Sequence, residues 1–284
     1  MQAGVPSRTA LAAAVHRAVH QELEGGSILR DPLAIPILGD EARSVLDEAR
    51  RDATLRGLRV FVALRSRFAE DALARLLDKG MRQLTILGAG LDTFAYRSPL
   101  AAKLRIFEVD HPATQSWKRE RLIHAGIHAP PTLTFVPADL EVEDLAGVLQ
   151  AAGFDTEQPS FFMWLGVVPY LSASAVFSTL SYISALRAGA QVVFDYANPL
   201  DPAQEDPQHF ALRAALEERV ASYGERLRSY FETSALHARL SALGFDEIED
   251  LGPAAIRQRY FGQRPVSSSD RGAHILRAGR LLRA

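Results

Sequence analysis

The sequence contains no cysteine among its 284 residues. This absence excludes disulfide bonds, catalytic thiolates and zinc sites built from thiolates. The eight histidines form no His-Glu-x-x-His pattern or other ligand spacing, so the sequence gives little support to a metal site. We expect a chain that binds no metal and that suits a reducing compartment such as the cytoplasm.

An excess of one charge and long apolar runs are also missing. The 32 lysines and arginines face 34 acidic residues, which leaves none of the basic surplus that nucleic acids and anionic membranes attract. No apolar run has the length of a membrane span, and His16 and Arg17 interrupt the alanine-rich run from Ala10 to Val19, unlike a signal peptide. We expect neither nucleic acid nor a membrane as partner, and oligomeric state is left open.

Hydrophobic periodicity predicts the elements of a layered α/β fold. Helices are predicted from Thr9 to Glu24 and over 41–78, before the first strand. Short apolar runs then alternate with helical stretches, which predicts a doubly wound, mainly parallel sheet. These runs are 84–88, 104–109, 133–137, 160–165 and 190–195. Further helices are predicted within Asp201 to Tyr230 and from Phe231 to Leu243, and a last strand within 274–278. The mixed-sign stretch Lys118-Arg119-Glu120-Arg121 is interpreted as a solvated helix face.

The most informative pattern joins the ends of the first two strands. The first run breaks into Gly88-Ala89-Gly90-Leu91-Asp92, and the second ends at Glu108-Val109-Asp110. Two glycines permit a tight turn close to a ligand, and an acid about 20 positions later can bind ribose hydroxyls. However, Thr93 stands where a dinucleotide fingerprint has its third glycine, and Asp92 where the commoner methyltransferase loop has glycine. The glycines alone therefore leave open a dinucleotide, another nucleoside cofactor or a structural turn.

Ordered motifs along nearly the whole chain narrow this choice. They are Asp31-Pro32-Leu33-Ala34, Leu64-Arg65-Ser66-Arg67-Phe68, Gly88 to Thr93, Ala95-Tyr96-Arg97, Phe107 to Pro112, Lys118, Ala138-Asp139-Leu140, Tyr170-Leu171, Gly244-Phe245, Glu249 to Pro253 and Tyr260-Phe261. Together they resemble the leucine carboxyl methyltransferase family, and more closely its bacterial branch of S-adenosylmethionine-dependent methyltransferases.

The resemblance implies a Rossmann-like class I methyltransferase fold. Its seven-stranded, mainly parallel sheet would end in an antiparallel strand, with N-terminal helices and a helical cover closing over the site. We accordingly expect a single domain over 1–284. Within it, 1–80 would form the N-terminal helices and lid, 81–200 the cofactor-binding core, and 201–284 the helical insertion and the rest of the sheet.

The resemblance also assigns cofactor roles. Arg65 would pair with the methionyl carboxylate of S-adenosylmethionine, a task that suits a bidentate guanidinium. The loop residues Gly88, Ala89, Gly90 and Asp92 would line its methionyl and ribose portion. Asp110 would bind the ribose hydroxyls. Asp139 and Leu140 would hold the adenine, the carboxylate accepting a hydrogen bond from the exocyclic amine.

Several of these residues have plain structural alternatives. Arg65 could pair with Glu70 or Asp71 on its own helix. Asp139 could cap a helix from Leu140 to Leu149, and Asp92 could cap the turn that follows it. Asp110 is better supported as a ligand, because Pro112 makes a helix cap at that position less regular.

Two positions depart from the family pattern. Leu165 stands where relatives have glutamate, at a position that would face the cofactor's methionyl end or the reaction centre. Phe94 stands where arginine is usual, which would leave an aromatic surface beside the loop. Both departures affect the identity of the substrate more than the binding of the cofactor, and they favour an apolar methyl acceptor.

The implied reaction is O-methyl transfer to a carboxylate or hydroxyl of a small molecule, such as a natural product. An ionised carboxylate needs no base, whereas a hydroxyl benefits from one. Tyr170 is the preferred catalytic residue on the substrate side, with His111, Asp195 and Tyr196 as other candidates, although Tyr170 could equally be a packed loop tyrosine. Two other functions remain open. One is a catalytically altered cofactor-binding protein, from Leu165, and the other is a nicotinamide-dependent oxidoreductase.

Overall fold

The computed structural model describes residues 6–39, 42–201, 207–263 and 270–280, and it divides into two compact units, Met1–Met163 and Trp164–Ala284. The first unit holds the N-terminal helices and the first strands. Its elements are α1 (Arg8–Leu23), α2 (Arg43–Arg51), α3 (Arg56–Leu77), β1 (Gln83–Leu87), α4 (Phe94–Arg97), β2 (Arg105–Asp110), α5 (Pro112–His124), β3 (Leu133–Pro137), α6 (Leu145–Ala151) and β4 (Ser160–Trp164), whose last residue opens the second unit.

The second unit continues the alternation of helices and strands. Its elements are α7 (Ala173–Ala185), β5 (Ala190–Ala197), α8 (Pro207–Ser222), α9 (Thr233–Ala242), β6 (Glu247–Leu251), α10 (Pro253–Phe261) and β7 (Ala273–Gly279). The seven strands form one sheet in the order β3-β2-β1-β4-β5-β7-β6. β1 pairs in parallel with β2 and β4, and β2 with β3, while β7 runs antiparallel to β5 and β6. The predicted sheet, with its antiparallel last strand, is confirmed.

Burial explains why the first strands were easy to predict. Every residue of β1 and of β4 is buried, so each reads as a continuous apolar run, as expected of central parallel strands. A separate apolar cluster forms where α1 packs on the segment 34–49. Leu91 of the glycine loop belongs to the same cluster, so the loop packs against the N-terminal helix α1.

Two local features differ from the prediction. The helix predicted over 41–78 is interrupted at Asp52, whose backbone is extended and whose carboxylate accepts from Thr54 N–H to start a new turn. Residue 41 lies outside the described residues. β6 was not predicted from its own residues, because its sequence Glu-Ile-Glu-Asp-Leu is mostly acidic. Arg277 of β7 lies opposite Glu249 and binds it and Glu247, and this pairing offsets the charge of the strand.

Candidate cofactor site

The turn after β1 has the backbone that only glycine adopts readily. Gly88 and Gly90 have φ values of 65° and 47°, in the left-handed region. Gly88 and Ala89 donate their N–H groups to Val109 O, at 2.8 and 3.2 Å, so the turn is bonded to the end of β2. A Cβ on Gly90 would lie 3.1 Å from the Cβ of Ala10 in α1. The loop is therefore tightly covered on the side of α1.

Asp110, at the carboxyl end of β2, is held by two backbone amides. Its Oδ2 accepts from Gly90 N–H at 2.5 Å and its Oδ1 from His111 N–H at 2.7 Å. Burial raises the pKa of this carboxyl, and the two amide hydrogen bonds oppose the rise. The cap of α5 is His111, whose Nδ1 accepts from Ala113 N–H, so Asp110 is not a helix cap. Each carboxylate oxygen keeps acceptor capacity for a hydroxyl donor.

Asp92 has the capping role that its alternative interpretation predicts. Its Oδ1 accepts a hydrogen bond from Phe94 N–H at 2.7 Å, which stabilises the first turn of α4. A contact between Asp92 and a cofactor stays a prediction. Phe94 itself is completely buried, so the prediction that it presents an aromatic surface to substrate is wrong. Its ring belongs to the core beneath the loop.

Asp139 and Leu140 follow β3 at the same end of the sheet as the glycine turn. Ala138 N–H donates to Asp110 O at 2.8 Å, so the two strand ends are bonded to each other. Asp139 Oδ1 accepts from Glu141 N–H within a turn, and α6 begins only at Leu145 with Asp144 as its cap. The alternative interpretation of Asp139 as a helix cap is therefore wrong. Its role as adenine ligand stays a prediction.

Arg65 lies half-buried in the middle of α3. Both carboxylates that were considered as its helix partners bind other arginines. Glu70 accepts hydrogen bonds from Arg97, and Asp71 accepts from Arg67 Nε at 2.8 Å. Both carboxylates thus have other arginine partners, and the binding of Arg65 to the methionyl carboxylate stays a prediction.

Asp31, the first residue of the motif Asp31-Pro32-Leu33-Ala34, binds the N-terminal helix and the glycine loop. Asp31 is 1% exposed, and its Oδ2 accepts from Arg17 Nε at 3.2 Å and from Thr93 Oγ1 at 2.6 Å. Arg17 also donates to Leu91 O at 2.6 Å. Thr93, which stands at the missing third glycine, thus joins the loop to the N-terminal segment. A short-range sequence pattern contains no signal for this contact, since 62 positions separate its two partners.

A buried cluster of Tyr96, Glu108 and Lys118, here called the Glu108 cluster, lies next to Asp110 in the sequence and fold. Lys118 Nζ is 2.8 Å from Glu108 Oε2, and both side chains are 1% exposed. Tyr96 Oη donates to the same Oε2 at 3.3 Å, and its ring lies 5.3 Å from Lys118 Nζ. Burial raises the pKa of Glu108 to about 7, although the Lys118 ammonium lowers it.

Lys118 corrects the interpretation of its stretch as a solvated helix face. Arg119 and Glu120 are exposed as predicted, but Lys118 points into the protein. The sequence does contain a feature that predicts burial of Lys118. Thr114, Lys118 and Leu122 recur every fourth residue, so they lie on one face of α5, and all three are buried. The charge of Lys118 favoured the opposite prediction, a solvated position.

In the second unit, the candidate substrate-side residues lie in the segment after β4. Leu165 is half-buried, and Gly166 adopts a φ of 74° and donates its N–H to Asp195 Oδ1 at 2.6 Å. Tyr170 ends a short 3-10 helix, Val168–Tyr170, in which Pro169 O accepts from Arg228 N–H. The segment is therefore fixed to the chain that follows α8. The catalytic role of Tyr170 and the cofactor contact of Leu165 stay predictions.

Two of the alternative bases are committed elsewhere. The Nδ1 of His111 accepts from Ala113 N–H as the cap of α5. Tyr196 Oη donates to Asp250 Oδ2 at 2.6 Å, and burial raises the pKa of this phenol above its usual range. In this arrangement the Nδ1 of His111 and the hydroxyl proton of Tyr196 are each held by a neighbouring group.

The described ranges contain no group of three or more histidines and carboxylates that could hold a metal ion. Within the same ranges, no helix is both long and apolar enough to cross a membrane.

With this geometry in view, the model of the family described as "Leucine carboxyl methyltransferase" matches residues 10–184, which is more than half of the chain. The chain belongs to the leucine carboxyl methyltransferase family. The matched residues include the glycine loop, Arg65, Asp110 and Asp139. The family match therefore covers every residue that was assigned to the cofactor.

Bacterial relatives in this family carry names of the same kind. The chain is 34% identical over 206 residues to "Putative S-adenosyl-L-methionine-dependent methyltransferase YktD" of Bacillus subtilis, which covers 70% of this chain and 66% of that protein. It is 32% identical over 217 residues to a protein of the same description from Mycolicibacterium paratuberculosis, with 71% and 70% covered. The chain thus spans just under two thirds of YktD.

A solved structure supports the fold across nearly the full length. A DUF574 family protein from Streptomyces avermitilis superposes with a TM-score of 0.56 at 17% identity, covering 95% of this chain and 97% of that one. At this identity the likeness concerns the fold alone. It agrees with the sheet order described above.

Proposed function

We propose that this member of the leucine carboxyl methyltransferase family transfers a methyl group from S-adenosylmethionine to a carboxylate or hydroxyl oxygen of a small, largely apolar molecule. The observation that carries the proposal is the Asp110 carboxylate, fixed by the amides of Gly90 and His111 beside the glycine turn. An acid at the end of β2 that keeps acceptor capacity suits the vicinal hydroxyls of a ribose.

The residues of the first unit fit this cofactor. Asp110 would bind the ribose, the loop Gly88 to Asp92 would line the methionyl and ribose portion, and Asp139 and Leu140 would hold the adenine. Arg65 would bind the carboxylate of the methionyl group. When bound, S-adenosylmethionine supplies an electrophilic methyl group on a sulfonium. The protein's part is to hold the acceptor oxygen in line with that group and to exclude water.

The nature of the acceptor is proposed from the residues of the second unit. Leu165 presents an alkyl side chain where relatives have a carboxylate, and this substitution favours an apolar acceptor. A carboxylate acceptor is already ionised at neutral pH, so it needs no base. For a hydroxyl acceptor, Tyr170 is the preferred residue, because the segment that carries it is fixed by the bond from Arg228 N–H to Pro169 O.

The nicotinamide alternative is less well supported. A dinucleotide site seats the pyrophosphate at the N-terminus of a helix directly after the glycine loop. Here the loop leads into α4, which has only 4 residues, and its first turn is capped by the Asp92 carboxylate. A negative charge at that point would repel pyrophosphate. The catalytically altered alternative depends on Leu165 alone.

Calorimetric titration of the folded chain with S-adenosylmethionine and with NADH tests the cofactor. We expect binding of S-adenosylmethionine and about a tenfold to hundredfold loss of affinity in Asp110→Asn, since hydrogen bonds to a charged group contribute about 1.5–3 kcal/mol. Asp71→Asn is the matched control, because this carboxylate lies on α3 and binds the exposed Arg67. Binding of NADH without binding of S-adenosylmethionine would overturn the proposal.

Incubation with labelled S-adenosylmethionine and a metabolite extract tests the acceptor. We expect a labelled methyl ester or methyl ether, identified by mass. Leu165→Glu should reduce labelling of an apolar acceptor, because it introduces a carboxylate that an apolar molecule cannot solvate. A chain that binds the cofactor but labels nothing supports the catalytically altered alternative instead.

A further inference from the structure

We infer that Lys118 is a positioning residue for ribose recognition, and that its buried ammonium holds the Asp110 carboxylate in the charged form that binds the ribose hydroxyls. This inference rests on the proposed function. It assigns a role to a residue that contacts neither the cofactor nor the methyl acceptor, and it makes the Glu108 cluster part of the binding site.

The geometry joins the three elements that carry the site. Tyr96 lies on α4, directly after the glycine loop, Glu108 lies on β2 and Lys118 lies on α5. Side chains alternate along a strand, so Glu108 and Asp110 point to the same face of β2. Gln115 of α5 donates to Glu108 O at 3.1 Å, which bonds the helix to the strand beside Asp110. The helix that carries Lys118 and the strand that carries Asp110 are therefore bonded to each other at Glu108.

Charge balance gives Lys118 its role. The Lys118 ammonium lies 2.8 Å from Glu108 Oε2, Asp110 follows two residues later on the same strand, and the other titratable groups nearby are Asp92 and His111. Burial raises the pKa of Asp110, and the positive charge of Lys118 is among the contributions that lower it. Without that charge, Asp110 would be left with burial and two amide bonds. A protonated Asp110 would present an O–H group to the ribose in place of one of its acceptor oxygens.

The bonding of Glu108 is one-sided. Its Oε2 accepts from Tyr96 Oη and forms an ion pair with Lys118 Nζ, whereas neither its buried Oε1 nor Lys118 Nζ has a hydrogen-bond partner among the described residues. A proton on Oε1 would therefore neutralise Glu108 without breaking either contact. The full charge of Lys118 would then act on Asp110. This arrangement differs from a simple structural ion pair, in which both carboxylate oxygens are satisfied.

The test compares two variants that differ only in the ammonium. Glu108→Gln keeps Lys118, and Glu108→Gln/Lys118→Met removes it without leaving a buried carboxylate at position 108. Calorimetry then gives the affinity for S-adenosylhomocysteine and for its 2′,3′-dideoxy analogue. The ratio of the two affinities measures ribose recognition alone. Arg119→Met, which removes the adjacent exposed cation, is the control.

We expect the ratio of the single variant to match that of the unmodified chain at about pH 6 and about pH 8.5. In the double variant, the ratio should be about tenfold lower at about pH 6 than at about pH 8.5, because loss of the Lys118 charge raises the pKa of Asp110 further. A purely structural role would weaken both ligands equally at each pH. A ratio that is unchanged in the double variant would overturn the inference.

Other outcomes are also decisive. If the unmodified chain binds neither ligand, the proposed function fails and the inference fails with it. If the double variant does not fold, the unmodified chain still provides a test. If its ammonium keeps Asp110 charged, the ratio of the two affinities should be the same at about pH 6 and at about pH 8.5. A tenfold fall of that ratio at the lower pH would contradict the role of Lys118.

Discussion

Each unit of this protein buries a carboxylate in a polar cluster, and the two clusters are bonded differently. In the first unit the Glu108 cluster leaves one carboxylate oxygen without a hydrogen bond. In the second unit, Asp250 of β6 accepts hydrogen bonds from Tyr196, His237 and His274, at 2.6, 2.7 and 2.9 Å. These four residues and Asn198 are here called the Asp250 cluster.

The ring of His274 lies between two polar groups. Its Nδ1 is 2.9 Å from Asp250 Oδ1, and its Nε2 is 3.0 Å from Asn198 Oδ1. Asn198 Oδ1 also accepts from Gly272 N–H at 2.9 Å. The side chains of His274 and Asp250 are 4% and 7% exposed, so their contact is buried.

The two carboxyl groups accordingly shift in opposite directions. Burial raises the pKa of both, but for Asp250 the bonds from His274, Tyr196 and His237 outweigh it and the net pKa is lowered. For Glu108 burial prevails, and the pKa is raised to about 7. The donors that reach a buried carboxylate thus oppose the effect of its burial, and at Asp250 they outweigh it. A saturated cluster stabilises the fold, whereas an unsaturated one can respond to a proton or a ligand.

The largest effect on stability is expected from Asp250→Ala. This change leaves the buried Tyr196 hydroxyl and the buried His274 ring without the carboxylate that they share. Each buried polar group left without its partner costs about 1–3 kcal/mol, so we expect a loss of about 3–5 kcal/mol in the free energy of unfolding. Denaturant titration measures it. Glu232→Ala is the control, because this carboxylate is 51% exposed and its pair with Arg271 should contribute about 0–1 kcal/mol.

A loss for Asp250→Ala no greater than that of its control would contradict the comparison. The Asp250 cluster would then be a polar surface feature, and its hydrogen bonds would not set the stability of β5, β6 and β7.

A smaller loss, about 2–3 kcal/mol, is expected from Lys118→Met near neutral pH. Glu108 loses its cation, but it can take up a proton at the unbonded Oε1, which limits the cost. Glu108→Gln/Lys118→Met should recover most of the loss, because it replaces the ion pair by neutral side chains of similar size. Denaturant titration of both variants measures the difference. A double variant that is less stable than Lys118→Met would show that the pair itself stabilises the fold.

The last expected effect concerns the pH dependence of stability. Glu108 has a raised pKa of about 7 in the folded chain, against about 4.3 for an unfolded glutamate, so the folded chain binds the extra proton between these values. Stability that comes from Glu108 is therefore present at the acidic end and is lost as the pH rises toward about 7. Glu108→Gln should flatten this part of the curve of unfolding free energy against pH. Glu120→Gln, at an exposed position of α5, should leave it unchanged.

The opposite slope in this window would mean that Glu108 ionises more readily in the folded chain than in the unfolded one. The contrast with Asp250 would then disappear, since both carboxylates would be stabilised in the charged form.

Much of the cofactor region could be predicted from the sequence because its signals are local. The turn at Gly88 and Gly90 depends on the φ angles of single residues, and Asp110 ends the second predicted strand. The strand over 133–137 was predicted with its observed bounds. The helix break at Asp52 and the strand β6 were missed, because a single carboxylate cap and a cross-strand arginine decided them.

The sequence by itself determined the order of helices and strands, the glycine turn and the acid at the end of β2, since periodicity and backbone freedom are properties of neighbouring residues. The tertiary structure alone decided that Thr93 binds Asp31, that Arg97 and Arg67 bind the carboxylates considered for Arg65, and that Lys118 turns inward to Glu108. Partners for buried charges come from distant parts of the chain, and burial strengthens each such contact because little water screens it.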